Sequence, residues 1–175
     1  MSAATLPVPQ PRFRAMMVAD IDQVMAVEIQ AYPFPWSRGH FTDSLASGYE
    51  AHLLLLDRPG RRAEAELLGY YVAMPGVEEL HLLNLTVAPL HQGRGHALTL
   101  LAHLADTGRR RGAAQLWLEV RESNLRARRL YERWGFDAVG LRKGYYPAAH
   151  GQREHALVMR WALPAVTQGA AHDLV

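Results

Sequence analysis

The chain contains no cysteine, which removes disulfides, thiolate metal sites and cysteine nucleophiles from consideration. No apolar run approaches the roughly 20 residues that a membrane-spanning helix needs. The N-terminus lacks the charged-then-apolar pattern of a secretory signal, so the cytoplasm is the expected location and no membrane partner is expected. Several motifs are also missing. There is no Gly-Lys-Ser/Thr phosphate loop, no G-x-G-x-x-G dinucleotide fingerprint and no H-E-x-x-H zinc pair. No G-x-S-x-G elbow is present, which disfavours a serine hydrolase. The 9 histidines show no ligand spacing and are expected at the surface or in the core, with no metal. Net charge is only +2, although the pI is 9.1. Arginine dominates the positive charge, at Arg109 to Arg111, Arg121, Arg126, Arg128, Arg129 and Arg133. That balance favours acidic ligands, while arginines on helices also serve as a solvated face. No RNA- or DNA-binding motif is visible, so direct nucleic-acid binding is not expected.

What is present fits one domain. A length of 175 residues with 49% apolar content is enough to bury a sizeable core. No internal repeat or second domain is seen. Residues 1–11 are short and proline-bearing and read as a loose segment, 12–163 as the domain, and 164–175 as a tail. Phe13 to Val18 reads as a first strand. Asp20 reads as an N-cap, followed by Ile21, Val24, Met25 and Ile29 at helical spacing. The helix breaks at Tyr32-Pro33-Phe34-Pro35-Trp36, and Ser37 caps a short helix through Phe41 and Leu45. Strands are expected at Ala51 to Asp57 and Leu67 to Met74, with a turn at Arg58-Pro59-Gly60. Leu80 to Val87 and Ala114 to Val120 read as buried strands around a helix from Thr99 to Arg111 that Gly112 closes. Ser123 or Asn124 caps a helix to Trp134 that Gly135 ends. Phe136 to Arg142 and Ala156 to Trp161 form a closing hairpin. The fold class is therefore α/β (α+β): a mixed, mostly antiparallel sheet flanked by helices, with a central β-α-β unit.

Inside that unit lies Pro89-Leu90-His91-Gln92-Gly93-Arg94-Gly95-His96-Ala97-Leu98. The order is strand, glycine-rich turn, helix. A helix N-terminus exposes unpaired N–H groups with the positive end of the dipole behind them, which is an anion site. Gly93 and Gly95 keep Cβ atoms out of the way of a phosphate, and Ala97 is nearly as small. A phosphate-bearing ligand is the expectation, although glycine-containing turns before helices are often plain structure.

Further along come "WLEVR.SN" at Trp117 to Asn124, "LYE.WGF" at Leu130 to Phe136 and "GYYP" at Gly144 to Pro147. With Gln92-x-x-Gly95-x-Ala97, Phe34-Pro35-Trp36-Ser37 and Asn84-Leu85-Thr86-Val87, they resemble, in order and spacing, the RimI-type branch of the GNAT (GCN5-related) acetyltransferases. The resemblance covers roughly residues 13 to 161. It implies a single-domain GNAT fold, acetyl-CoA as the acetyl donor and the coenzyme pyrophosphate on Gln92, Gly93, Arg94, Gly95, His96, Ala97 and Leu98. It implies pantetheine pairing with the backbone of Leu85, Thr86 and Val87, the Val87 N–H serving as carbonyl polariser. It also implies transfer to the N-terminal alanine of a ribosomal protein, by a monomer or weak homodimer. Two departures stand out: Trp134 is bulkier than usual, and His155 stands where a second acidic residue is expected.

The reaction so implied is acyl transfer from a thioester to an amine. Glu119 is the candidate base, directly or through water, with partial burial expected to raise its pKa; the plain alternative is a strand-end carboxylate paired with Arg121. Tyr131 falls on the stripe Ala127, Leu130, Tyr131, Trp134. Either it is a core tyrosine whose hydroxyl needs a partner, or it is the acid that protonates the departing sulfur. Asn124 is equally a helix cap and a pantetheine contact. Arg94, Arg128 and Arg129 lie within reach of ligand phosphates or are simply solvated. Tyr32, Phe34, Trp36, Tyr145 and Tyr146 are candidate walls of the peptide site. A free α-amine with a pKa near 8 is about one-quarter neutral at pH 7.5, against about one lysine in a thousand. A single Glu119 with no evident second base therefore suits an α-amine. Two other readings stay open: an acetyltransferase for small amines or lysines, and a non-catalytic acetyl-CoA-binding or ribosome-binding module.

Overall fold

Alternating apolar residues and well-placed turn residues build seven strands and four helices among the described residues, 9–58 and 65–164, of a computed structural model. The turn expected at Arg58-Pro59-Gly60 and the tail beyond Pro164 lie largely outside those residues. In chain order the elements are β1 (Arg12–Ala15), α1 (Ile21–Ala31), α2 (Arg38–Ala46), β2 (Glu50–Asp57), β3 (Ala65–Pro75) and β4 (Glu79–Val87). They continue with α3 (His96–Arg110), β5 (Gln115–Arg121), α4 (Leu125–Trp134), β6 (Asp137–Pro147) and β7 (Arg153–Ala162). The sheet order is β1-β2-β3-β4-β5-β7-β6. Every pairing is antiparallel except β4 with β5. No described helix is long and apolar enough to cross a membrane.

Some local expectations change. The first strand stops at Ala15, and a 3-10 turn at Val18–Asp20 leads into α1. The Asp20 carboxylate accepts from the Met17 N–H at 2.7 Å and pairs with Arg14 at 2.7 Å, so it braces the turn before α1 rather than capping the helix. Ile29 is 61% exposed. The buried line of α1 is instead Ile21, Val24 and Glu28. Ser37 caps α2 as expected, accepting from the His40 N–H. Helix α3 begins three residues before Thr99, because Gly95, at φ +85°, turns the chain into it. Gly135, at φ +115°, ends α4.

Two apolar clusters sit on opposite faces of the sheet. Leu80, Leu82, Leu116, Leu118 and Val120 pack with α3 and α4; Leu53, Leu55, Tyr70 and Val72 pack with α1 and α2. A bulge decides which β4 side chains join which face. The register shifts between Val72 and Ala73, so Leu82 stands opposite Ala73 while Asn84 and Thr86 stand opposite Val72 and Tyr70. One extra residue, Leu83, thus switches alternate side chains from one face to the other. Asn84 and Thr86 are sent to the α1 side, where the polar groups gather.

On the α3 side a pair of histidines sets a pH limit on stability. His103 stacks on Phe13 at 3.7 Å between ring centroids, bonds the Tyr71 hydroxyl through Nδ1 at 2.9 Å and lies 4.8 Å from His52. Burial, then the neighbouring His52 and Arg110 charges, push His103 from 6.5 down to about 4; burial also lowers His52. The unfolded chain therefore takes these protons first. Stability is complete above about pH 6.5 and is lost as pH falls toward 4. With a discount for partial exposure, His103 accounts for about 2 kcal/mol of that loss. Urea melts at pH 7.5 and 4.5 are expected to show it, and His103→Phe is expected to flatten the difference.

Candidate active site

The parallel pairing of β4 with β5 ends at Leu82 opposite Leu118. Beyond it, Asn84 to Val87 pair only with β3, and Glu119 to Arg121 only with β7. The two strands part, and backbone groups of β4 are left facing the gap. Parting needs chemistry on each lip that does not demand a neighbour strand. On the β5 lip that chemistry is Glu119, whose side chain is 7% exposed.

Glu119 Oε2 lies 2.7 Å from His81 Nε2, and Oε1 lies 3.1 Å from the Arg142 guanidinium. Its backbone carbonyl accepts from the Tyr146 hydroxyl at 3.0 Å. The expectation of a raised pKa is overturned. Burial does push Glu119 up, but the His81 hydrogen bond and the positive fields of His81 and Arg142 hold it below the ordinary carboxylate value. The plain alternative, an ion pair of Glu119 with Arg121, does not form. Arg121 pairs with Glu154 at 3.2 Å and stacks over Tyr146, 4.4 Å from its centroid, with Phe34 at 5.5 Å. Both side chains lie on one face of β5, but two residues along the strand separate them by about 6–7 Å, so each reaches a different part of β6 and β7.

Tyr131 is 8% exposed, packed edge-on to Phe136 at 5.6 Å. No described residue hydrogen-bonds its hydroxyl. Burial first, then the nearby Tyr32 and Tyr146, raise its pKa, so the phenol keeps its proton. The ring is buried while its unpartnered hydroxyl stays accessible, which suits it to meet a ligand atom.

The turn after β4 is open. None of the five N–H groups from Gly93 to Ala97 has an acceptor among the described residues. Gly93 and Gly95 both have positive φ, and a Cβ at either would meet open space. Left-handed backbone, more than close approach, is what requires glycine here. Gln92 Nε2 donates to the Val87 carbonyl at 3.3 Å and so ties the loop to β4. Arg94 and Leu98, within and just after the loop, are exposed, as is Arg129 on α4. Arg128 instead turns back to the Glu122 carbonyl at 3.0 Å, and Arg126 is the arginine that approaches Gln92. The Asn124 side-chain oxygen caps α4, accepting from the Ala127 N–H at 3.1 Å. The geometry thus favours the cap over the ligand contact for that atom.

Sequence reasoning missed the buried centre behind this site. Glu28 is 1% exposed. It accepts from the Trp36 N–H at 2.9 Å, from the Tyr70 hydroxyl, and from Asn84 Nδ2 at 3.3 Å. Asn84 accepts from Thr86 at 2.7 Å, and Thr86 lies 2.9 Å from the Tyr32 hydroxyl, which also donates to the Leu85 carbonyl at 3.1 Å. The signal was available: Glu28 is an acid in line with Ile21 and Val24 on the apolar stripe of α1. His81 was missed because histidine at an alternating strand position carries no mark of its partner.

The aromatic walls divide. Phe34 and Tyr145 are each 41% exposed and face the Arg121 and Arg142 guanidinium groups. Tyr32 and Tyr146 line the gap and are tied by their hydroxyls. Trp36 is not a wall: it packs on Phe41 at 5.2 Å within the α1–α2 cluster, because the Glu28 carboxylate holds its N–H and turns the ring inward. His155 accepts from the Gly144 N–H at 3.0 Å through Nδ1 and pins the β6 bulge. In that place the imidazole latches β6 to β7.

A mixed sheet parted at its only parallel pair, with an unpartnered N–H cradle at the mouth, defines an acyl-CoA-dependent acyltransferase. The chain belongs to the acetyltransferase (GNAT) family, whose model matches residues 21–136, and acetyl-CoA is its acyl donor. It is 36% identical over 140 residues to the [ribosomal protein bS18]-alanine N-acetyltransferase of Haemophilus influenzae, covering 80% of this chain and 90% of that protein. The crystal structure of the ribosomal-protein-S18-alanine N-acetyltransferase from Escherichia coli superposes with a TM-score of 0.77 at 31% identity, covering 95% of this chain and 99% of that one. Arabidopsis thaliana NAA60 in complex with acetyl-CoA shares the fold, with a TM-score of 0.75 at 20% identity, over 87% of this chain and 99% of that one.

Proposed function

We propose that the protein transfers acetyl from acetyl-CoA to the α-amine of an N-terminal alanine, on the small-subunit ribosomal protein bS18 that its relatives modify. The observation that carries this reading is the pairing, at the parted strands, of a buried carboxylate, Glu119, with a buried unpartnered phenol, Tyr131. One supplies the negative charge that favours proton removal and the other supplies a proton, as amine attack and thiol departure require. When bound, acetyl-CoA supplies the activated acetyl thioester. The N–H groups of Gly93 to Ala97 fit its pyrophosphate, since each lacks an acceptor in the protein. The Val87 N–H and the backbone of Leu85 and Thr86 orient the acyl arm. Tyr131 holds its proton for the leaving sulfur, and the negative charge of Glu119 favours departure of the proton from the amine. Phe34, Tyr145 and Tyr146, steadied by Arg121 and Arg142, form the acceptor walls.

The direct test is acetyl transfer from labelled acetyl-CoA to a six-residue peptide starting Ala-Arg, beside the same peptide N-terminally blocked and carrying a lysine. Transfer to the free N-terminus alone is expected; transfer to the lysine or to neither overturns the α-amine assignment. In the same assay Tyr131→Phe is expected to lower kcat about 100-fold with little change in acetyl-CoA affinity. Gly95→Ala tests the cradle. A Cβ at φ +85° costs about 1–2 kcal/mol of backbone strain, and calorimetry is expected to show acetyl-CoA affinity reduced about tenfold with kcat at saturation nearly unchanged.

A further inference from the structure

We propose that His81 takes up the proton of the acceptor amine at Nδ1, while Glu119 holds and charges the ring; this deepens the α-amine acetylation reading and rests on it. His81 and Glu119 project from the same face of β4 and β5, astride the last rungs before the strands part. Nε2 faces Glu119 Oε2 at 2.7 Å, and the other carboxylate oxygen is held by Arg142 at 3.1 Å. A carboxylate gripped on both oxygens is a poor resting place for a proton, since protonation would weaken both contacts.

The hydrogen between the two heavy atoms belongs to Nε2, because the carboxylate is ionised. The neutral ring therefore carries its lone pair on Nδ1. No described residue hydrogen-bonds Nδ1, and the side chain is 18% exposed, against 7% for Glu119. An oriented imidazole with a free lone pair beside a carboxylate is the arrangement that serves as base in Ser-His-Asp sites, where the acid stabilises the imidazolium and stays ionised. Here one amine N–H bond breaks and Nδ1–H forms as the new C–N bond closes. The C–S bond breaks and its sulfur takes the Tyr131 proton. The imidazolium proton leaves to water, and the Tyr131 oxygen regains one from water, so charge and protons balance. The ionisable groups that face the pair are Arg142 and Tyr146 on β6, the first through its guanidinium on Glu119 Oε1 and the second through its hydroxyl on the Glu119 carbonyl.

The test uses the full chain with saturating acetyl-CoA and the Ala-Arg peptide. His81→Phe, which keeps an aromatic ring on the strand, is expected to lower kcat about 100-fold and leave acetyl-CoA affinity unchanged. His81→Ala is expected to regain activity in proportion to added imidazole. Full kcat in both variants overturns the proposal and leaves Glu119 as the sole base. A second readout needs no acceptor: ¹⁵N-histidine NMR of the unmodified chain is expected to show the neutral His81 ring protonated on Nε2. The opposite tautomer overturns the proposal. Failure of the substrate reading is seen separately, as no transfer to the peptide by the unmodified chain, and the NMR measurement then still decides the pair.

Discussion

Glu119→Gln is expected to lower kcat toward an Ala-Arg peptide by about 10²–10⁴, the usual worth of positioned acid–base catalysis, which this carboxylate supports. The substitution keeps the shape of the side chain and removes its charge. The Arg142 guanidinium and the His81 ring both face that charge, so each loses its counter-ion at once. Acetyl-CoA affinity is expected to survive, since the N–H cradle at Gly93 to Ala97 lies on another element. Steady-state kinetics with calorimetry in parallel separates these outcomes, and a variant with kcat within tenfold of the unmodified chain would sink the assignment. The pH profile adds a sign. Glu119 is held below its ordinary value by His81 and Arg142. Its own titration therefore lies well below neutrality, and any acid limb of kcat between about pH 5 and 8 belongs to the amine or to an imidazole.

Glu28→Ala is expected to cost about 3–5 kcal/mol of folding stability, the second large effect. The carboxylate is 1% exposed and serves three donors, the Trp36 N–H, the Tyr70 hydroxyl and Asn84 Nδ2. Removing it strands all three in the interior and leaves a cavity. Glu28→Gln keeps the volume but brings an N–H₂ group against donors, and a loss of about 1–3 kcal/mol is expected. Urea denaturation of the two variants beside the unmodified chain reads the order. Activity is expected to fall as well, because the same chain of bonds runs through Asn84 and Thr86 to Tyr32 at the site. A rise in peptide KM larger than the fall in kcat would be its mark, since Trp36 anchors the loop that carries Phe34.

Much of this molecule is legible along the chain. Alternation of apolar residues placed the strands, and Ser37, Asn124 and Gly135 marked helix ends, because caps and left-handed glycines are local requirements. The glycine turn before α3 was readable as an anion site for the same reason: its unpaired N–H groups follow from helix geometry alone. The errors have a common cause. Trp36 was read as a wall and Glu119 as a carboxylate of raised pKa, and each depends on neighbours outside its own segment. The raised pKa expected for Glu119 failed because burial was visible in the pattern while His81, 38 residues earlier, and Arg142 were not.

By itself the sequence determined the family, the order of elements, the donor cradle and the identity of the acid–base pair Glu119 and Tyr131 as candidates. These rest on local backbone geometry and on motifs that keep their spacing. Only the tertiary structure decided which face Asn84 and Thr86 occupy, that Glu28 is the buried hub, and that His81 meets Glu119. A one-residue bulge in β4 moved the first, since alternation has a period of two and any insertion inverts it. Contacts between strands and helices made the others, since electrostatic partners are chosen by distance in space.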